Sequence, residues 1–125
     1  MTHDPTSLRD KRVLILEDDY YLATDLQAAI ERAGAIVIGP FGDVAEAEQA
    51  LIKVQPDCAF VDVNLGQGPT FVIPRALVRR DVPFAFVTGY DEGTIPAEFS
   101  DAMRFQKPVV AERVVQGLAR MLNRG

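Results

Sequence analysis

The sequence predicts an α/β protein built on a doubly wound, five-stranded parallel sheet in the order 2-1-3-4-5. Three observations carry that expectation. Short, continuous apolar runs alternate with amphipathic stretches of helical period along almost the whole chain. The first of them, Val13-Leu14-Ile15-Leu16, lacks the polar alternation of a half-exposed strand, so it is expected to be covered on both faces, as in a parallel sheet between helices. The links are short, which leaves right-handed βαβ units, and five strands in 125 residues fit this winding order.

Residues 1–10 are polar and contain Pro5, and read as a flexible lead; residues 11–125 read as one domain with no output domain attached. Val13-Leu14-Ile15-Leu16 is the first strand. Asp19 is placed to cap a helix whose face is Leu22, Leu26, Ala29, Ile30 and Ala33, and Gly34 stands at its stop. Ala35-Ile36-Val37-Ile38 is the second strand. Asp43 with Glu46 makes a capping-box-like start for a helix with Val44, Ala47, Leu51 and Val54 on one side, closed by Pro56-Asp57.

Cys58-Ala59-Phe60-Val61 is the third strand, and Gly66-Gln67-Gly68-Pro69 is a loop. A third helix runs to about Arg80, with Pro74 suited to its first turn. Phe84-Ala85-Phe86-Val87 is the fourth strand. Residues 91–101 hold four acids, Gly93 and Pro96 with weak periodicity, so the fourth helix is expected to be short or irregular. Met103-Arg104-Phe105 is the fifth strand, and Val110, Val114, Leu118 and Met121 mark a final amphipathic helix.

Composition narrows the function. With 48% hydrophobic and 25% charged residues the chain has the balance of a globular domain rather than a disordered one. No apolar run approaches the roughly 20 residues of a membrane span, and the first residues lack a secretory pattern. The single cysteine, Cys58, excludes an internal disulfide, and together these features point to the cytoplasm. A net charge of -5 argues against a nucleic-acid partner.

The chemistry is expected at the carboxyl edge of the sheet, where open α/β sheets place their ligands. The first strand ends in Glu17-Asp18-Asp19, the third in Asp62, the fourth in Thr88-Gly89 and the fifth in Lys107-Pro108. The 2-1-3-4-5 order brings four of these ends side by side. Clustered carboxylates raise one another's pKa, and a hard divalent cation such as Mg²⁺ relieves the repulsion. The metal and Lys107 would then screen a phosphate while the Asp62 carboxylate attacks phosphorus. Taken singly these residues are ordinary: Asp19 a helix cap, Asp62 a turn residue, Thr88 a strand hydroxyl, Lys107 a solvated charge. Order and strand placement together make the functional case.

The stretches 13–19 and 58–65, with Thr88-Gly89 and Lys107-Pro108, resemble the receiver domains of bacterial two-component response regulators, over residues 11 to about 123. The resemblance implies the flavodoxin-like receiver fold. It also implies phosphoryl transfer to Asp62 from a histidine kinase or histidine phosphotransfer protein, switching protein–protein interactions in a phosphorelay. The domain would be a signalling switch that catalyses only its own phosphorylation and dephosphorylation. Asp18 would bind Mg²⁺ directly, Glu17 mostly through water, with Asp62 and the backbone carbonyl of Asn64 as further ligands. Lys107 would pair with the phosphate, and Thr88 and Gly89 would report it. Asn64 and Tyr90 occupy positions that tune phosphate lifetime.

Residues 83–90, with Gln106-Lys107-Pro108 and the Pro74 segment, look like the FAT GUY subgroup of receivers, although Val87 stands where that motif has Ala. The chain departs from ordinary receivers at Arg104, where they carry Tyr or Phe; Arg104 is therefore expected to point outward as part of a charged docking surface. Two alternatives compete: a Mg²⁺-dependent phosphatase with an aspartate nucleophile, and a degenerate receiver acting only as a binding module. The phosphatase reading wants Asp-x-Asp, where this chain has Asp62-Val63-Asn64. A nucleotide or flavin binder would need a Gly-rich turn after the first strand, which is absent.

Overall fold

A computed structural model describes residues 7–89 and 95–123. Five strands, β1 (Arg12–Leu16), β2 (Ile36–Phe41), β3 (Cys58–Asp62), β4 (Phe84–Thr88) and β5 (Met103–Gln106), form one parallel sheet in the order β2-β1-β3-β4-β5. The helices are α1 (Tyr20–Arg32), α2 (Val44–Lys53), α3 (Val72–Arg79) and α4 (Ala111–Leu122).

Strand alternation divides the core into two layers. Val13, Ile15 and Phe60 pack with Leu26 and Ile30 of α1 and Val114 and Leu118 of α4. Leu14, Leu16, Ala59 and Val61 pack on the other face with Leu51 of α2 and Leu77 of α3. Every residue of β3 and β4 is buried, as their continuous apolar runs predict. Full burial of a side chain such as Phe60 or Leu14 contributes about 1.5–3 kcal/mol. The helix starts follow the predicted chemistry: Asp19 Oδ1 accepts from Tyr21 N and Leu22 N, and Asp43 Oδ1 from Glu46 N. Pro74 is the third residue of α3, in its first turn.

Two details differ from expectation, and a third agrees with it. Residues 7–10, expected within a flexible lead, are tied down: Leu8 is fully buried in the α1/α4 layer, its N–H donates to Ala33 O at 2.9 Å, and Ser7 O accepts from Asn123 Nδ2 at 3.2 Å. A single apolar residue in a polar segment carries no periodicity, so only the docked position reveals it. The second strand runs past Ile38 to Phe41, through Gly39 at φ 106. A Cβ there would lie 2.8 Å from Phe41 N, so the register shift between Leu14 and Leu16 requires glycine. Among the described residues, the expected short or irregular fourth helix is a 3₁₀ turn, Ala97–Phe99.

Candidate functional site

The winding places the carboxyl ends of β1 and β3 next to each other, and there the polar residues gather. Glu17 follows β1 and is 2% exposed; Asp62 closes β3 and is 1% exposed. Carboxylate oxygens of Glu17, Asp18 and Asp62 lie within 4.8 Å of one another. Lys107 N donates to Thr88 O at 3.0 Å, which extends the β4–β5 ladder one step and aligns the lysine with the crevice. Its Nζ donates to Asp62 Oδ2 at 2.9 Å and stands 3.9 Å from Glu17 Oε2. The other Asp62 oxygen, Oδ1, accepts from Asn64 N at 2.8 Å. Glu17 Oε2 accepts from Asp19 N at 2.9 Å, whereas Glu17 Oε1 is buried with no hydrogen-bond partner among the described residues.

Burial is the largest cause that pushes the Glu17 carboxyl up to about 8; the Asp19 N–H opposes it, the charge and hydrogen bonding of Asp62 add to it, and Lys107 pulls the other way. Partial burial works against the Lys107 ammonium, yet the hydrogen bond to Asp62 and the charges of Asp62, Glu17 and Asp18 leave its pKa raised. One ammonium faces three carboxylates, and one buried oxygen lacks a donor. An all-oxygen set with this excess of negative charge fits a hard divalent cation, and Glu17, Asp18 and Asp62 are the side chains that could hold Mg²⁺.

The structure brings Glu17, Asp18, Asp62 and Lys107 to one crevice, with Thr88 buried at the end of the neighbouring strand and Gly89 just beyond. Tyr90 lies outside the described residues. Arg104 is exposed on β5 and lines, with Phe99, Met103, Arg120 and three acids, a separate open groove of about 860 Å³. Sequence reading missed one role. Asn64 Oδ1 accepts from Gly66 N at 2.9 Å and Gly68 N at 3.2 Å, so this side chain shapes the loop after the aspartate. Both glycines have positive φ, and the spacing Asn-x-Gly-x-Gly is the local pattern that could have revealed the clamp.

Adjacent acids here do different work. Asp18 belongs to the carboxylate cluster and Asp19 caps α1. Asp18→Asn should weaken Mg²⁺ binding at least tenfold with little loss of stability. Asp19→Ala should cost about 1 kcal/mol of stability and affect Mg²⁺ far less. Metal titration and thermal melts of both variants check this; a larger Mg²⁺ loss for Asp19 would reverse the assignment.

A doubly wound sheet whose strand ends deliver an acidic pair, a buried aspartate and a lysine to one crevice defines a receiver-type domain. The chain belongs to the response regulator receiver family. It is 32% identical to SdrG from Sphingomonas melonis Fr1, covering 90% of this chain and 97% of that one, with a TM-score of 0.77. A BeF3-activated conformation of SdrG matches at 31% identity and a TM-score of 0.74, over 92% of this chain and 98% of that one. The sensory transduction protein LytT of Bacillus anthracis is 32% identical over 111 residues, 86% of this chain and 45% of its own length. The phyllosphere-induced regulator PhyR of Methylorubrum extorquens is 30% identical over 118 residues, 85% of this chain and 43% of its own. The chain thus spans about half the length of the curated relatives it matches. No family model matches. Receiver domains are signalling switches rather than enzymes with a separate substrate, and no helix among the described residues is long and apolar enough to cross a membrane.

Proposed function

We propose that this receiver accepts a phosphoryl group on Asp62 from the phosphohistidine of a histidine kinase or phosphotransfer protein, and thereby changes which protein it binds. The carrying observation is the buried Asp62 carboxylate, held by Lys107 at 2.9 Å beside the Glu17/Asp18 pair. A carboxylate oxygen attacks phosphorus, the donor's N–P bond breaks, and the imidazole leaves with the bond's electron pair and takes up a proton. Lys107 neutralises charge on the transferred oxygens. Glu17, Asp18, Asp62 and the Asn64 carbonyl would hold Mg²⁺, which supplies the remaining charge compensation. The Thr88 hydroxyl, with Gly89, would report the modification, Asn64 and Tyr90 would tune its lifetime, and exposed Arg104 would serve docking. The motif over residues 83–90 supports membership of the FAT GUY subgroup.

The phosphatase alternative lacks its second acid: two residues beyond Asp62 stands Asn64, its amide oxygen occupied by two loop N–H groups. Incubation with acetyl phosphate and Mg²⁺, followed by mass spectrometry, is expected to show one base-labile phosphoryl group, mapped to Asp62. An adduct on another residue, or none, would overturn the reading.

A further inference from the structure

The loop after Asp62 and the segment before β5 meet at a contact that the crevice does not use. Phe71, at the start of α3, stacks on Phe99 with ring centroids 5.4 Å apart and planes 16° apart. Phe99 is buried and meets Phe84 of β4 edge-on at 6.1 Å. One turn along α3, the Arg75 guanidinium lies 6.0 Å from the Phe71 centroid and 5.8 Å from that of Phe99. Its Nε donates to Glu98 Oε1 at 3.0 Å. Stacking, cation–π contact and ion pair thus coincide on four residues that join two separate segments.

Both segments lead back to Asp62, each to a different oxygen. From Phe71 the loop runs back to Asn64, whose N–H binds Oδ1; from Phe99 the chain runs through β5 to Lys107, whose ammonium binds Oδ2. The Asn64 side chain and the 2.7 Å hydrogen bond from Thr70 N to Val63 O hold the loop along the way. A phosphoryl group bonded to either oxygen must displace or redirect one of those two donors. Each half of the four-residue contact is thus joined, through a short length of chain, to one of the two donors that hold Asp62.

We propose that Phe71, Arg75, Glu98 and Phe99 form a latch that stabilises the free-carboxylate arrangement of the site and loosens when Asp62 carries a phosphoryl group. The inference rests on the phosphoacceptor reading above. By linkage, a contact present in one arrangement opposes any ligand that selects the other, and weakening it raises that ligand's affinity by the same factor. The Arg75 and Glu98 side chains are about half exposed, so removing their ion pair should shift the equilibrium about two- to fivefold.

The test is a beryllofluoride titration in saturating Mg²⁺, followed by amide NMR, on the wild type, Glu98→Gln, Arg75→Gln and the double variant. Each single variant should bind beryllofluoride about two- to fivefold more tightly, and the double variant no more than the single variants combined. Without beryllofluoride, amides of residues 97–102 should exchange with solvent faster in the variants, while thermal midpoints stay near the wild type. Unchanged or weaker beryllofluoride binding by the variants, with a normal wild-type response, would overturn the latch alone. A wild type whose Asn64 amide ignores beryllofluoride would overturn the phosphoacceptor reading and the latch with it.

Discussion

Asp62→Asn should abolish phosphoryl uptake while leaving the fold in place, a loss of at least ~10³-fold, the scale on which removing a nucleophile acts. The amide has the shape of the carboxylate and keeps an oxygen to accept from Asn64 N, now at 2.8 Å from Asp62 Oδ1. It has no charge with which to attack phosphorus. The lost pairing with Lys107 is tolerable because that side chain is 38% exposed and can be solvated. The substitution also removes one of the charges that push Glu17 up, so the Glu17 pKa should fall toward its ordinary value. Incorporation from acetyl phosphate, measured by mass spectrometry beside thermal melts, checks both halves. Uptake by the variant at the wild-type rate would place the acceptor elsewhere.

Mg²⁺ affinity should rise steeply with pH up to about 8 and level off above it, because the metal requires Glu17 ionised and burial holds its carboxyl protonated to about 8. Approaching that value from below, each pH unit should bring up to about tenfold in affinity. The same shift acts on stability without metal. The folded pKa lies above the ordinary carboxyl value of 4.5, so folding takes up a proton between the two. Glu17's contribution is therefore fully present below pH 4.5 and lost as pH rises to about 8, a few kcal/mol in all. Lys107, also raised from 10.5, contributes stability that is lost only as pH climbs past its own pKa, above this window. Glu17→Gln should flatten both profiles and weaken Mg²⁺ binding, while making the metal-free domain more stable at pH 8. Titration calorimetry and melts from pH 5 to 9 measure this. A wild-type Mg²⁺ affinity that is flat from pH 6 to 8 would remove Glu17 from the ligand set.

The strands, their winding order and the residues at their ends are legible in the amino-acid order. A strand buried on both faces must be a continuous apolar run, and its end shows as an abrupt change to acid or hydroxyl, as at Glu17, Asp62 and Thr88. Helix caps were legible for the same local reason: Asp19 and Asp43 satisfy N–H groups two or three residues away. The remaining features depend on contacts between segments far apart in the chain. Lys107 meets Asp62 across 45 residues of chain, and Arg75 meets Glu98 across 23, distances over which no periodicity in a window of residues carries information. The anchoring of Leu8, the extension of β2 through Gly39 and the unpartnered Glu17 Oε1 likewise depend on what neighbouring elements cover. Desolvation is a property of packing, so the sequence names the acids of the site, and only the fold sets which of them is forced to hold its proton.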